Sequence, residues 1–234
     1  MKKLGLVLVL LGVLSGCATT SKPVSLAPEF WENKQQSLGV AVAKRELPDA
    51  TMTGSQGLLD YAINRGNAKQ LIEFLNKLEL SNLDKLPDSF LEQLNARGFS
   101  AKKIDTPIDV VKLSKASQKS TDTKQYAEYD FGQYKNAGID RLLLITVERV
   151  GTTRNYYGFM PTNPPQADLS IKGQLIDLNT HELLWNTSVV QNSPIPEPWD
   201  QPTTFENVGG AVKKNLDQGV EKFEQSFFAG PVKQ

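Results

Sequence analysis

Apolar positions along the chain fall into three kinds of run. The first is Leu4 to Leu14, eleven residues long and preceded by Lys2 and Lys3. It is too short for a bilayer core, which takes roughly 20 helical residues. The second kind is short and continuous. Leu38 to Ala43, with its β-branched bias, and Leu142 to Val147 predict strands buried on both faces. The third kind alternates. Leu169, Ile171 and Leu175 share one parity while Asp168, Ser170, Lys172 and Gln174 share the other, which predicts a half-solvated antiparallel strand over 168–177. A turn at Asn179-Thr180-His181 leads to a partner strand with Leu183, Trp185, Thr187 and Val189 on one face. Ser100 to Ile104 reads as a further short strand.

Helical spacing occupies the stretches between. Leu58, Leu59, Ala62 and Ile63 fall on one helical face expected to be buried, with Gly66 as the stop. Asn67 is placed to cap a second helix with core stripe Leu71, Ile72, Leu75 and Leu78. Asp88, after Pro87, is placed to cap a third, with Phe90, Leu91 and Leu94 inward and Gly98 at its end. A short helix is expected around Tyr126 to Asn136. Thr203 and Glu206 have capping-box spacing and open a last helix with stripe Val208, Val212, Leu216, Val220, Phe223 and Phe227. Residues 48–57 and 114–124 read as loops. The order predicts an α+β domain: a mixed, mostly antiparallel sheet with helices packed on one face, in two or three layers.

Composition narrows the chemistry. Basic and acidic residues number 26 each in 234, so no global field points to nucleic acid. One Cys and one His leave no Cys/His zinc set, no Cys–His nucleophile pair and no internal disulfide. No Gly-rich phosphate-cradling pattern is present, and Gly54-Ser55-Gln56-Gly57 lacks nucleophile-elbow spacing. His181 is the sole imidazole and is expected in a solvated turn without convergent partners. The reading is therefore no enzyme, no cofactor and no metal site. A hydrolase built on a hidden carboxylate pair is its least implausible enzymatic alternative.

The N-terminus carries an address. The basic pair and short apolar run have the build of a secretory signal. Leu14-Ser15-Gly16-Cys17 resembles the lipobox of bacterial lipoproteins. That resemblance implies cleavage before Cys17 and acylation of the Cys, which several chains turn into stable anchoring. Ala18 stands where an Asp favours inner-membrane retention in such proteins, which implies the outer membrane, facing the periplasm. The expected organisation is a signal over 1–16, a lipidated Cys and flexible tether over 17–36, a single domain over 37–228 and a tail over 229–234. Phe30 and Trp31 are expected to clip the tether onto the domain.

A second resemblance covers about residues 37 to 228. Gly98-Phe99 ending a helix, Ala137-Gly138-Ile139-Asp140 before an apolar strand, and Asp177-Leu178-Asn179-Thr180-His181-Glu182-Leu183-Leu184-Trp185 resemble periplasmic lipoproteins with the fold of the TolB N-terminal domain. Curli-secretion and peptidoglycan-synthase-activator lipoproteins are relatives by fold. Thr180-His181 stands where that motif usually has Thr-Gly. The resemblance implies a β-turn feeding a strand whose Trp packs under helices, and no catalytic residue.

Two aromatic segments are the candidates for binding. Residues 154–165 combine Tyr157, Phe159 and Met160 with prolines between two strands. Residues 194–202 place Trp199 in a proline-rich, polyproline-like stretch. Aromatics and Met are enriched at interfaces, and the two segments are expected to form one patch if they share a sheet edge. The sequence thus predicts a lipid-anchored accessory protein that binds an envelope protein partner in a secretion, transport or cell-wall assembly. A self-oligomerising secretion-channel component is the alternative. Oligomeric state and partner identity stay open.

Overall fold

The computed structural model describes residues 22–201 and 204–229. Its centre is β4 (Arg141–Tyr157), 17 residues long. On one side β4 pairs antiparallel with β6 (Gln166–Asp177), which pairs antiparallel with β7 (Leu183–Pro194). On the other side it pairs in parallel with β1 (Leu38–Val42) along its first residues and with β2 (Asp49–Ser55) along its last. β3 (Ala101–Lys103) lies parallel to β1, and β5 (Met160–Pro161) folds back on the end of β4. The result is a mixed seven-stranded sheet with order β3-β1-β4-β6-β7 and an α+β fold, as expected.

Among the described residues six α-helices accompany the strands: α1 (Glu29–Glu32), α2 (Leu58–Asn67), α3 (Lys69–Leu75), α4 (Ser81–Ala96), α5 (Gly132–Lys135) and α6 (Glu206–Phe228). One sheet face, with Leu38, Val40, Leu143, Ile145, Leu169, Ile171, Leu175 and Trp185, packs under α4 and α6. Trp185 meets the Phe227 ring edge-on at 4.9 Å, and Phe90 sits 5.6 Å from Phe223. The opposite face, with Leu142, Leu144 and Ile176, is sealed by Ile108, Ala127, Phe131 and Ile139 from the long connection between β3 and β4. A third cluster at the far end joins Ala50, Leu75, Ala167, Phe205, Val208 and Val212. We call this the distal end.

Several elements differ from the sequence reading. β2 occupies the expected loop 48–57; only its Ala50 is buried, so no period-two signal marks it. α4 begins at Ser81 rather than after Pro87, because Leu83 and Leu86 extend the Phe90–Leu94 stripe one turn back. That burial outweighs the hydrogen bond that Pro87 cannot donate to the Leu83 carbonyl. The Tyr126–Asn136 helix shrinks to α5. Asn67 does not cap α3, which follows α2 almost directly with Ala68 between. Asp168 and Ser170, expected on a solvated face, are buried. Arg149 Nε donates to Asp168 at 2.8 Å, and that bond holds the guanidinium pKa above its ordinary value. The Thr203 half of the expected capping box lies outside the described residues; α6 begins after Phe205, itself in the left-handed region.

Cys17, the signal and residues 17–21 also lie outside the described residues. From Lys22 onward the expected tether is laid on the domain. Val24 and Asn186 exchange backbone hydrogen bonds of 2.9 and 3.0 Å. Phe30 is buried, stacks on Phe99 at 4.8 Å and lies under the Arg141 guanidinium at 5.3 Å. Burial of Arg141 pushes its pKa down. No helix among the described residues is long and apolar enough to cross a membrane.

His181 is less solvated than a turn suggests. Its side chain is only 19% exposed, with Nδ1 3.9 Å from Asp130. Its backbone stands at φ 62°, the left-handed region that Gly enters without a Cβ penalty. The position therefore asks for glycine. His181→Gly should stabilise the fold by roughly 1 kcal/mol, less whatever the imidazole contacts contribute. Urea unfolding of His181→Gly and His181→Ala checks this; an Ala variant as stable as the Gly variant would remove the backbone explanation.

Candidate partner-binding surface

The distal end is built by strand overhang. β6 stops pairing with β4 at Thr153, and β4 runs on to Tyr157 with β2 beside it. Tyr157 and Met160 then pair across a two-residue turn of Gly158 and Phe159. Gly158 has φ 58°, the positive angle that tight hairpin turns need at their first central residue.

Both sides of this turn are braced. The Gly158 N–H donates to the Ser55 carbonyl at 2.8 Å. Asn64 of α2, fully buried, donates from Nδ2 to the Gly158 carbonyl at 3.0 Å and to Gln56 Oε1 at 2.8 Å. A buried amide held this way fixes the turn, since leaving it unpaired costs about 1–3 kcal/mol. The tip side chains are nevertheless turned to solvent: Tyr157 is 69%, Phe159 63% and Met160 57% exposed.

α2 adds to the surface. Its first turn lies beside the tip, because a Cβ on Gly158 would come within 3.7 Å of Asp60. Leu58 and Leu59, expected in the core, are 94% and 74% exposed, and Tyr61 and Ile63 are nearly half exposed. The helix is held instead by Asn64 and by Arg65, which donates to Asp49 at 2.7 Å. The apolar stripe read from sequence is real, but it faces outward. No positional signal distinguishes an outward Leu-Leu pair from an inward one, so sequence reasoning assigned these residues to the core.

Trp199 lies elsewhere. Arg154 and Tyr156 share one face of β4 by strand alternation, and Tyr157 lies on the other. The Arg154 guanidinium sits 4.4 Å over the half-buried Trp199 ring, while its Nε donates to the Asn163 carbonyl at 2.8 Å. Together they border a cavity of about 210 Å³ floored by Ala50, Met52, Leu71, Ile195 and Phe205. The structure thus sets the Gly158 turn beside α2 and places Trp199 in a pocket that α2 also borders, through Asn64 and Asn67, on the sheet face opposite Tyr157. Of the expected loop 154–165, the first four residues belong to β4 and Met160–Pro161 to β5.

Among the described residues no group of three or more His, Cys, Asp and Glu side chains is placed to hold a metal ion.

No protein-family model matches the chain, and no curated protein matches it. Solved structures with a related arrangement exist at low similarity. A lipoprotein of Neisseria meningitidis, GNA1162, is 12% identical over 80% of this chain and 99% of its own, with a TM-score of 0.34. A DUF330-family protein of Xanthomonas campestris is 13% identical over 90% and 87%, with a TM-score of 0.36. The PelC dodecamer of Paraburkholderia phytofirmans is 9% identical over 84% and 95%, with a TM-score of 0.30.

Proposed function

We propose that this chain is a lipid-anchored accessory protein of the bacterial envelope that docks a protein partner through the distal tip and the outer face of α2. The observation that carries the reading is the braced aromatic turn. Tyr157, Phe159 and Met160 stand in water on a backbone fixed by Ser55 and Asn64, and Gly158 between them lies against Asp60 in the helical turn that also exposes Leu58 and Leu59. Folding gains nothing from leaving large apolar groups in water, and adjoining ones on a surface mark an interaction site. A rigid presentation also lowers the ordering cost of binding.

The anchor reading rests on Cys17 and the signal before it. Intact mass of the mature protein should give a chain beginning at Cys17 with added lipid mass. Cys17→Ser should abolish that mass and release the domain from the membrane fraction. A mature chain that starts elsewhere, with Cys17 removed or unmodified, would overturn the anchor. Crosslinking recovery from envelopes tests the partner. Recovery that depends on the tip residues supports the docking surface, and recovery indifferent to them removes it.

A further inference from the structure

The pocket beside Trp199 has a chemistry that the tip does not use. Its floor of Ala50, Met52, Leu71, Ile195 and Phe205 is apolar, and the space above it is about 210 Å³. One wall differs. Thr152 and Arg154 lie on the same face of β4 by strand alternation, and both border the cavity. Thr152 is only 3% exposed, and its hydroxyl meets no hydrogen-bond partner among the described residues. A buried polar group of that kind calls for a partner.

Arg154 is the second such group. Its Nε donates to the Asn163 carbonyl at 2.8 Å, and its guanidinium lies 4.4 Å over the Trp199 ring. These two contacts hold the plane of the fork. Among the described residues no carboxylate pairs with it, and neither Nη atom meets an acceptor. Asp200 also borders the cavity, but it is exposed and forms no ion pair with Arg154. A planar guanidinium with a free outer edge matches the two oxygens of a carboxylate.

We propose that this pocket binds a small monocarboxylate with a compact apolar body. The carboxylate sits on the Arg154 fork, and the body fills the cavity above Leu71 and Phe205. Size sets the body. An apolar cavity of about 150 Å³ holds benzene, so this one takes a single ring or a branched chain with its acid group at the wall. It is smaller than the pockets of drug-sized ligands, which run to about 300–1,000 Å³. Charge sets the head. One cation, with the Asp200 carboxylate at the rim, balances a single negative charge better than a dianion.

The floor is shaped for this at some strain. Phe205 stands at φ 42°, a conformation that a bulky residue keeps only where its surroundings over-determine it, as at ligand clamps. Its ring meets Phe74 at 5.4 Å as well as the cavity. The ligand contacts none of Tyr157, Phe159 and Leu58, so this site and the docking surface are independent.

The test uses the full mature chain, with phenylacetate and isocaproate as probes, each beside its uncharged amide. Calorimetry should give saturable one-to-one binding of at least one acid. Its amide should bind about tenfold or more weaker, the size expected when a charge-assisted bond is lost. Arg154→Gln should erase that preference, so that acid and amide bind alike. Leu71→Trp, which fills the floor, should abolish binding of both. In a chain labelled with fluorotryptophan, the Trp199 signal, assigned with Trp199→Phe, should shift on binding while the Trp31 and Trp185 signals stay. The comparison of acid with amide needs no variant, so it stands where a substitution destabilises the fold. Phe159→Ala with Leu58→Asp should leave acid binding unchanged, which separates this site from the docking reading. No saturable binding of either acid, amides that bind as tightly as their acids, or a Trp199 signal that does not move would overturn the site.

Discussion

Gly173→Ala should be among the most damaging single-methyl changes in this protein. A Cβ at residue 173 would lie 2.3 and 2.4 Å from two ring carbons of Trp185 and 2.7 Å from Phe223. Gly173 is where β6 lets the indole lie flat across the sheet beneath α6. Neither ring can swing aside, because Trp185 also meets Phe227 and Phe223 also meets Phe90. Overpacking of this kind costs roughly 1–3 kcal/mol and occasionally more. Trp185→Ala should cost about 3–5 kcal/mol through the cavity it leaves. The diagnostic is the cycle. In the Gly173→Ala background, Trp185→Leu should cost much less than it does alone, since the smaller side chain makes room for the methyl. Urea midpoints of the four proteins decide this. A Gly173→Ala midpoint equal to that of the parent would mean that the indole has room the packing does not show.

The other large effect concerns binding. Phe159→Ala combined with Leu58→Asp should abolish partner recovery while leaving stability within about 0.5 kcal/mol, as surface substitutions usually do. Anchors at the centre of interfaces cost roughly 2 kcal/mol or more each when truncated, about thirtyfold in affinity. Trp199→Ala should behave differently. Its ring is half-buried under Arg154 beside a cavity, so the variant should melt earlier while the tip remains intact. A stable double variant that still recovers its partner would remove the tip from the interface.

How much of this was legible in sequence depended on whether burial followed a local pattern. The first part of β4 was legible as a continuous apolar run over Leu142–Val147, and β6 and β7 because their apolar residues repeat with the period of the element that buries them. The α6 stripe from Val208 to Phe227 was legible for the same reason, with spacing that keeps one side of a 23-residue helix on the sheet. β2 was not, because it is held by parallel hydrogen bonds to β4 while all but one of its residues remain at least partly exposed. α4 was misplaced at its start because Pro87 is a local stop signal that tertiary packing overrode. Tyr157, Phe159 and Met160 were legible as an aromatic cluster between strands. Their rigidity was not, since it comes from Asn64, a polar residue nearly a hundred positions away. Trp199 looked equivalent to them on composition; only strand parity at Arg154 and Tyr156 puts it on another face.

The length of β4 also decides how the domain behaves under mechanical load. A pull between the clip at Phe30, near the start of β4, and the tip at its end is directed along the strand. Phe30 leads into β1, which lies parallel to β4, so the pull must slide the five β1–β4 residue pairings against one another at once and cannot peel them open singly. Loading in shear makes the domain stiff along this one axis, so tension applied between its two ends is passed along the sheet rather than absorbed by unfolding.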